Sequence, residues 1–203
     1  MSADLIHMHP VHFEDDGTLI FEVQVLESDS WRKHKTVKTQ IFRNANNQVL
    51  VVKPEDKADG VAIFATKTDQ EIEEESGIIF NIHIFEDSKP RKFPVAFSTK
   101  WNNKTYIMCI EEVGNQMKVT FRERDIPTYI SEDVSSMIFF KIPFSEGDRQ
   151  FYMFESTIKE NYFLAFEKDE NNITHLIIKR KEDEIDQFTR LSYSAPPNTL
   201  RNQ

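Results

Sequence analysis

The sequence is poor in the residues that most often build chemistry. One cysteine, Cys109, stands among 203 residues, so no internal disulfide framework exists. Its place in the apolar run TYIMCI predicts a buried, inert thiol. The five glycines, at 17, 60, 77, 114 and 147, stand alone, which leaves no phosphate-cradling loop. No serine sits in a nucleophile-elbow sequence, and His83 and His175 fall inside strand patterns, where structural roles are expected. No run approaches the ~20 apolar residues that span a bilayer. The N-terminal stretch MSADLIHMHPVHFEDD has neither a basic start nor an apolar stretch, so it does not read as a secretory signal and synthesis in the cytosol is expected. His7, His9 and His12 cluster there without the carboxylate or cysteine spacing of a structural metal site. The expectations are therefore no metal, no cofactor, no catalysis, no nucleic-acid partner and no membrane insertion.

What the chain has is phenylalanine and an uneven charge. Aromatics make up 12%, with 17 Phe against 2 Trp, and the mean hydropathy is −0.53. Those values fit a soluble, Phe-cored β domain, and the length suits one domain with a modest appendage. The net charge is −9. Residues 1–29 hold seven Asp and Glu and no Lys or Arg, whereas residues 30–43 hold five Lys and Arg and no Asp or Glu. A reversal that abrupt separates segments with different tasks. It predicts an acidic segment over 1–29 and a folded domain over 30–203, with a flexible tail after about 194. Within the acidic segment, residues 1–18 read as flexible. Leu19, Phe21, Val23 and Val25 alternate with Ile20, Glu22 and Gln24 as a strand needing a partner surface.

Beyond residue 30 the sequence reads as twelve short strands, at about 36–43, 47–52, 61–65, 78–85, 94–99, 104–111, 117–123, 137–142, 151–156, 162–167, 174–180 and 187–192. Turn residues such as Asn46-Asn47, Gly114-Asn115 and Asn171-Asn172 punctuate them. Glu71–Glu75 is either a helical turn or an acidic loop, and Arg124–Ser136 is the longest stretch without strand character. Leu50 in QVLVV, Ile107 in TYIMCI and Leu164 in YFLAF recur at one spacing. Three units that cannot each bury an apolar face alone predict an all-β fold with a pseudo-threefold repeat, the β-trefoil.

The stretch FESTIKENYFLAFEKDENNITHLIIKR (154–180) carries a family pattern in Phe154, Ser156, Phe163, Leu164 and Ala165, with Glu160 and Phe166 departing from the usual proline and threonine. FRNANNQVLVV (42–52), FEDSKPR (85–91), MIFF (137–140) and KRKEDE (179–184) extend the likeness in order along the chain. The chain resembles the interleukin-1 family. That resemblance implies a β-trefoil, and a leaderless proinflammatory cytokine made as an inactive cytoplasmic precursor and secreted after processing. It implies an immunoglobulin-domain receptor pair, an inflammatory caspase and a soluble decoy binding protein as partners, with the cytokine a monomer.

One cut site is legible on chemical grounds as well. Leu26-Glu27-Ser28-Asp29 precedes Ser30 at the charge reversal. Caspases require an aspartate before the cut because cationic groups in their pocket pair with it. A bulky apolar residue three positions earlier and a small residue after the cut suit the inflammatory members. Asp59, in DKAD before Gly60, is a candidate second cut for executioner caspases. Receptor-facing positions implied by the resemblance are Lys33, Lys38, Arg43, Asp69, Arg91, Phe93 and Arg122. Two alternatives remain open: a receptor antagonist or nuclear alarmin of the same family, and a trefoil of another class such as a lectin, protease inhibitor or heparin-binding growth factor. The lack of a repeated Gln-x-Trp pattern counts against the lectin, and the mildly acidic charge after residue 29 counts against heparin binding.

Overall fold

Alternation decides most of the architecture. In Phe80-Asn81-Ile82 the apolar side chains are fully buried and the amide is half-exposed, so one strand face points into a core and the other outward. The computed structural model describes residues 31–56, 61–87, 92–182 and 185–197, and the backbone of 7–13 and 19–24. Asp29, Ser30, Asp59 and Arg91 lie outside the described residues, so the expected division at residue 29 and the second cut do too.

Strands β1 (His7–Phe13) and β2 (Leu19–Gln24) pair antiparallel as a two-stranded sheet. The expected strand is there over Leu19–Gln24, and residues 7–13, read as flexible, are its partner. The remaining strands form one sheet system: β3 (Trp31–Asn44), β4 (Val49–Lys53), β5 (Val61–Ala65), β6 (Phe80–Asp87), β7 (Phe93–Trp101), β8 (Lys104–Val113), β9 (Gln116–Glu123), β10 (Tyr129–Ile130), β11 (Phe139–Pro143), β12 (Tyr152–Ser156), β13 (Tyr162–Lys168), β14 (Thr174–Arg180) and β15 (Leu191–Ser194).

The pairing closes. β3 pairs with β6, β6 with β7, β7 with β11, β11 with β12, β12 with β15, and β15 returns to β3. That six-stranded ring is a barrel. The hairpins β4–β5, β8–β9 and β13–β14 complete three units of four strands. A closed barrel leaves no open edge among its own strands. This is a β-trefoil.

Its core is phenylalanine drawn from successive barrel strands. Phe42, Phe80, Phe97, Phe139 and Phe154 come from β3, β6, β7, β11 and β12, and Leu191 comes from β15. Phe42 meets Phe80 and Phe97 edge-on at centroid distances of 5.3 and 5.0 Å, and Phe97 meets Phe154 at 5.1 Å. Edge-to-face pairs of this kind add roughly 0.5–1.5 kcal/mol beyond burial.

The strand expectations need four corrections. β3 begins at Trp31, well before the predicted start, because β6 and the short β10 pair with its polar first half. β10 itself interrupts the stretch read as strandless. Residues 187–189 form a 3-10 turn, capped by the Asp186 carboxylate accepting from the Phe188 N–H, and the strand starts only at Leu191. The repeat is one residue out of phase in its middle unit. Leu50 and Leu164 face the central core, but there Met108 is their companion, while Ile107 joins a separate cluster with Trp31, Phe85 and Cys109.

Asp69–Glu74 is a helix, α1. Thr68 caps it: its side chain accepts from the Glu71 N–H at 3.3 Å and the Glu71 carboxylate accepts from the Thr68 N–H at 2.8 Å. Ile72 buries the helix against Ile41, Val49, Val51 and Ile78 on the outer side of the barrel. The turn after α1 needs Gly77, which has φ +78 and approaches β4 so closely that a Cβ would lie 1.9 Å from the Val52 carbonyl oxygen.

Candidate functional site

The sequence-predicted positions fall into several places on the trefoil rather than one. Lys33 and Phe93 share an end of the barrel: Lys33 pairs with Phe85 late in β6, while Phe93 opens β7, beside β6. Lys33 is half-buried, and its backbone N–H donates to the Thr128 carbonyl at 2.8 Å. Lys38 lies toward the other end, next to the irregularity in β3 between Val37 and Gln40. Its neighbour Thr39 has φ 56, a strained value for a β-branched residue. Asp69 is exposed in the first turn of α1.

Two of the predicted cations are engaged within the chain. The Arg43 guanidinium donates to the Asn47 carbonyl at 3.0 Å, bracing the turn between β3 and β4. Arg122 on β9 grips Glu111 on β8 with two parallel bonds, its Nε donating to Oε1 at 2.7 Å and Nη2 to Oε2. That grip holds the Glu111 carboxyl below its ordinary pKa, by hydrogen bonding first.

Phe93 is different. It is 49% exposed, and the ammonium of Lys141 lies over its ring at 5.5 Å. β11 sets Lys141 opposite Phe93. The same ammonium lies 4.0 Å from the Tyr152 ring centroid and 5.1 Å from that of Tyr193, and it donates to the Tyr193 hydroxyl at 2.7 Å. Tyr152 and Tyr193 stack at 5.5 Å. Burial holds the Lys141 pKa below its ordinary value. Sequence reasoning missed Lys141, Tyr152 and Tyr193, since only the strand register brings residues so far apart in sequence together.

Among the described residues no group of three or more His, Cys, Asp or Glu side chains could hold a metal ion. Cys109 is buried, and burial pushes its thiol pKa up, so the thiolate is disfavoured. His83 is held between Thr36 and Ser98 at 3.1 and 2.8 Å, and His175 meets Asp169 at 3.0 Å. Both histidines are thus built into strand and turn contacts.

The pairing defines the chain as a β-trefoil that presents charged and aromatic side chains from strand ends and hairpins. The comparisons narrow that class. Residues 68–189 match the family described as Interleukin-1 / 18. The chain is 39% identical to interleukin-18 of Gallus gallus over 193 residues, covering 94% of each protein. It is 33% identical to interleukin-18 of Homo sapiens over 176 residues, covering 84% of this chain and 83% of that one. The crystal structure of chicken interleukin 1 beta superposes with a TM-score of 0.57 at 16% identity, covering 81% of this chain and 99% of that chain. At that identity the structural likeness speaks for the fold. The chain belongs to the interleukin-1/18 family. It is a proinflammatory cytokine, not an enzyme.

Proposed function

We propose that the chain is an inactive cytoplasmic precursor that an inflammatory caspase cuts after Asp29, releasing residues 30–203 as the active cytokine. The mature cytokine leaves the cell by a leaderless route and acts as a monomer. It binds interleukin-18-type receptor chains built of immunoglobulin domains, first one and then a second, and a soluble decoy binding protein competes for the same surface.

The observation that carries this reading is the position of the LESD sequence relative to the barrel. Trp31, two residues after the proposed cut, is 0% exposed and opens β3. A cut after Asp29 therefore removes the acidic segment and leaves the whole of β3 as described, Trp31–Asn44, on the cytokine side. It also separates the acidic segment from the basic residues of β3. Recognition falls to Lys33, Lys38, Asp69, Arg91 and Phe93, and to Arg43 and Arg122 insofar as they can give up their partners in the chain.

The test is incubation of the full chain with an inflammatory caspase, sequencing of the new N-terminus, and binding of the product to the two receptor ectodomains singly and together. A new N-terminus at Ser30 and assembly of the ternary complex are expected. A different N-terminus would overturn the processing step. Binding to the first receptor without recruitment of the second would make the protein an antagonist.

A further inference from the structure

Lys141 combines burial, aromatic contacts and the lack of an anionic partner among the described residues. It is half-buried. Its ammonium is enclosed by Phe93 from β7, Tyr152 from β12 and Tyr193 from β15. Its ammonium donates to the Tyr193 hydroxyl, which is neutral at physiological pH because burial pushes that phenol's pKa up, and a hydrogen bond with the Tyr152 side chain supports it as well. Among the described residues no carboxylate pairs with it. The neighbouring cation behaves otherwise: Lys92 lies over Phe140 at 5.4 Å and pairs with the buried Glu155.

Desolvating a cation costs free energy unless an anion or aromatic faces compensate. Aromatic faces and the neutral phenols of Tyr193 and Tyr152 meet part of that cost here, but among the described residues no anion does. The ring stack also limits the rotamers of Lys141, so an incoming anion would not have to order a flexible side chain. Beside it Phe93 presents half its surface to solvent. An ordered cation next to an exposed aromatic ring is the composition of a binding hot spot.

We propose that Lys141 and Phe93 form a receptor contact in which the caged ammonium pairs with an aspartate or glutamate of the immunoglobulin-domain receptor, while Phe93 packs on the apolar surface around that carboxylate. This deepens the receptor-binding reading above and rests on it. The charge pair supplies register and discrimination, since a receptor with a neutral or basic residue at that point would leave Lys141 buried and unpaired.

The experiment uses the full chain after caspase treatment, with its N-terminus verified, and an interleukin-18 receptor ectodomain of the same species on a sensor surface. Parent, Lys141→Met, Lys141→Arg and Phe93→Ala chains are compared at low and high salt, with thermal unfolding of each recorded. Lys141→Met is expected to weaken binding at least about tenfold and flatten its salt dependence, at an unchanged or higher Tm. Lys141→Arg is expected to retain most of the affinity, because a guanidinium also stacks on aromatic rings. Phe93→Ala is expected to weaken binding without altering the salt dependence. If the parent binds and Lys141→Met binds equally well with the same salt dependence, the charge pair is refuted. If the verified parent fails to bind, the receptor reading itself falls.

Discussion

His83 offers a quantitative test of how the barrel is held together. It sits on β6, 9% exposed, with Nδ1 3.1 Å from the Thr36 hydroxyl on β3 and Nε2 2.8 Å from the Ser98 hydroxyl on β7. One imidazole thus links three adjacent barrel strands. Burial first, and the Lys33 charge second, lower its pKa from 6.5 to about 4. The folded-state pKa lies below the unfolded one, so between those values the unfolded chain holds the extra proton. The contribution of His83 to stability is therefore complete above pH 6.5 and is lost as the pH falls through 6.5 toward 4.

Between pH 7.5 and 5 that difference amounts to about 2 kcal/mol, from 1.36 kcal/mol per pKa unit with the populations at each pH taken into account. Most carboxylates remain ionised over this window, which keeps the readout specific. Urea unfolding followed by tryptophan fluorescence, at both pH values, measures it. Trp31, fully buried in the barrel-side cluster, is a suitable reporter. The parent should lose about 2 kcal/mol more on acidification than His83→Gln, a variant whose amide can still bridge the two hydroxyls but does not titrate. If both chains lose the same amount, His83 is not a buried neutral imidazole and the linkage is wrong.

Other outcomes follow from the same architecture. Phe97→Ala empties a site that touches Phe42, Phe139 and Phe154, and should cost about 3–5 kcal/mol by chemical denaturation with little change in the far-ultraviolet spectrum. Gly77→Ala should cost about 2 kcal/mol or more, since the added methyl meets the Val52 carbonyl rather than a side chain that can turn away. Asp29→Ala should leave the chain intact under conditions that process the parent completely, and executioner caspase should cut after Asp59, as mass spectrometry of the fragments would reveal. In an uncleavable Asp29→Ala chain, Phe21→Asp should raise receptor binding if the apolar face of the β2 strand masks the cytokine, whereas neutralising Asp15 and Asp16 should have a smaller, salt-sensitive effect.

The twelve trefoil strands were legible wherever one face is buried and the other wet, because the period of two is then written in the residues themselves. Phe80 and Ile82, or Tyr106, Met108 and Ile110, announce their strands in this way. The failures share a cause. Arg32-Lys33-His34-Lys35 has no apolar alternation, yet it is strand because β6 and β10 supply its hydrogen bonds. Gln187-Phe188-Thr189 has a strand-like composition, yet the Asp186 cap and the Thr189 hydroxyl donating to the Asp186 carbonyl at 2.7 Å close it into a turn. Pairing partners and side-chain caps override local pattern, and neither is visible from one segment alone.

The recognition surface was harder to read for a related reason. Residue type can nominate a cation but cannot say whether the fold already holds its counter-ion. Arg122 and Lys141 are both cations on strands near surface aromatics or carboxylates, and only the first matched the family's pattern. In the folded chain Arg122 is clamped by Glu111 across the β8–β9 hairpin, whereas Lys141 has aromatic faces and a neutral hydroxyl in place of an anion. Breaking the Arg122 pair to engage a partner exchanges one carboxylate for another and gains little. Pairing Lys141 removes the remaining cost of a half-buried, only partly compensated charge, so the same contact stabilises a complex more. For a cytokine whose function is surface complementarity, the cations that matter are then those the fold leaves without an anion. That property is set by strand register: β7, β11, β12 and β15 must meet in the closed barrel before Lys141 acquires its surroundings.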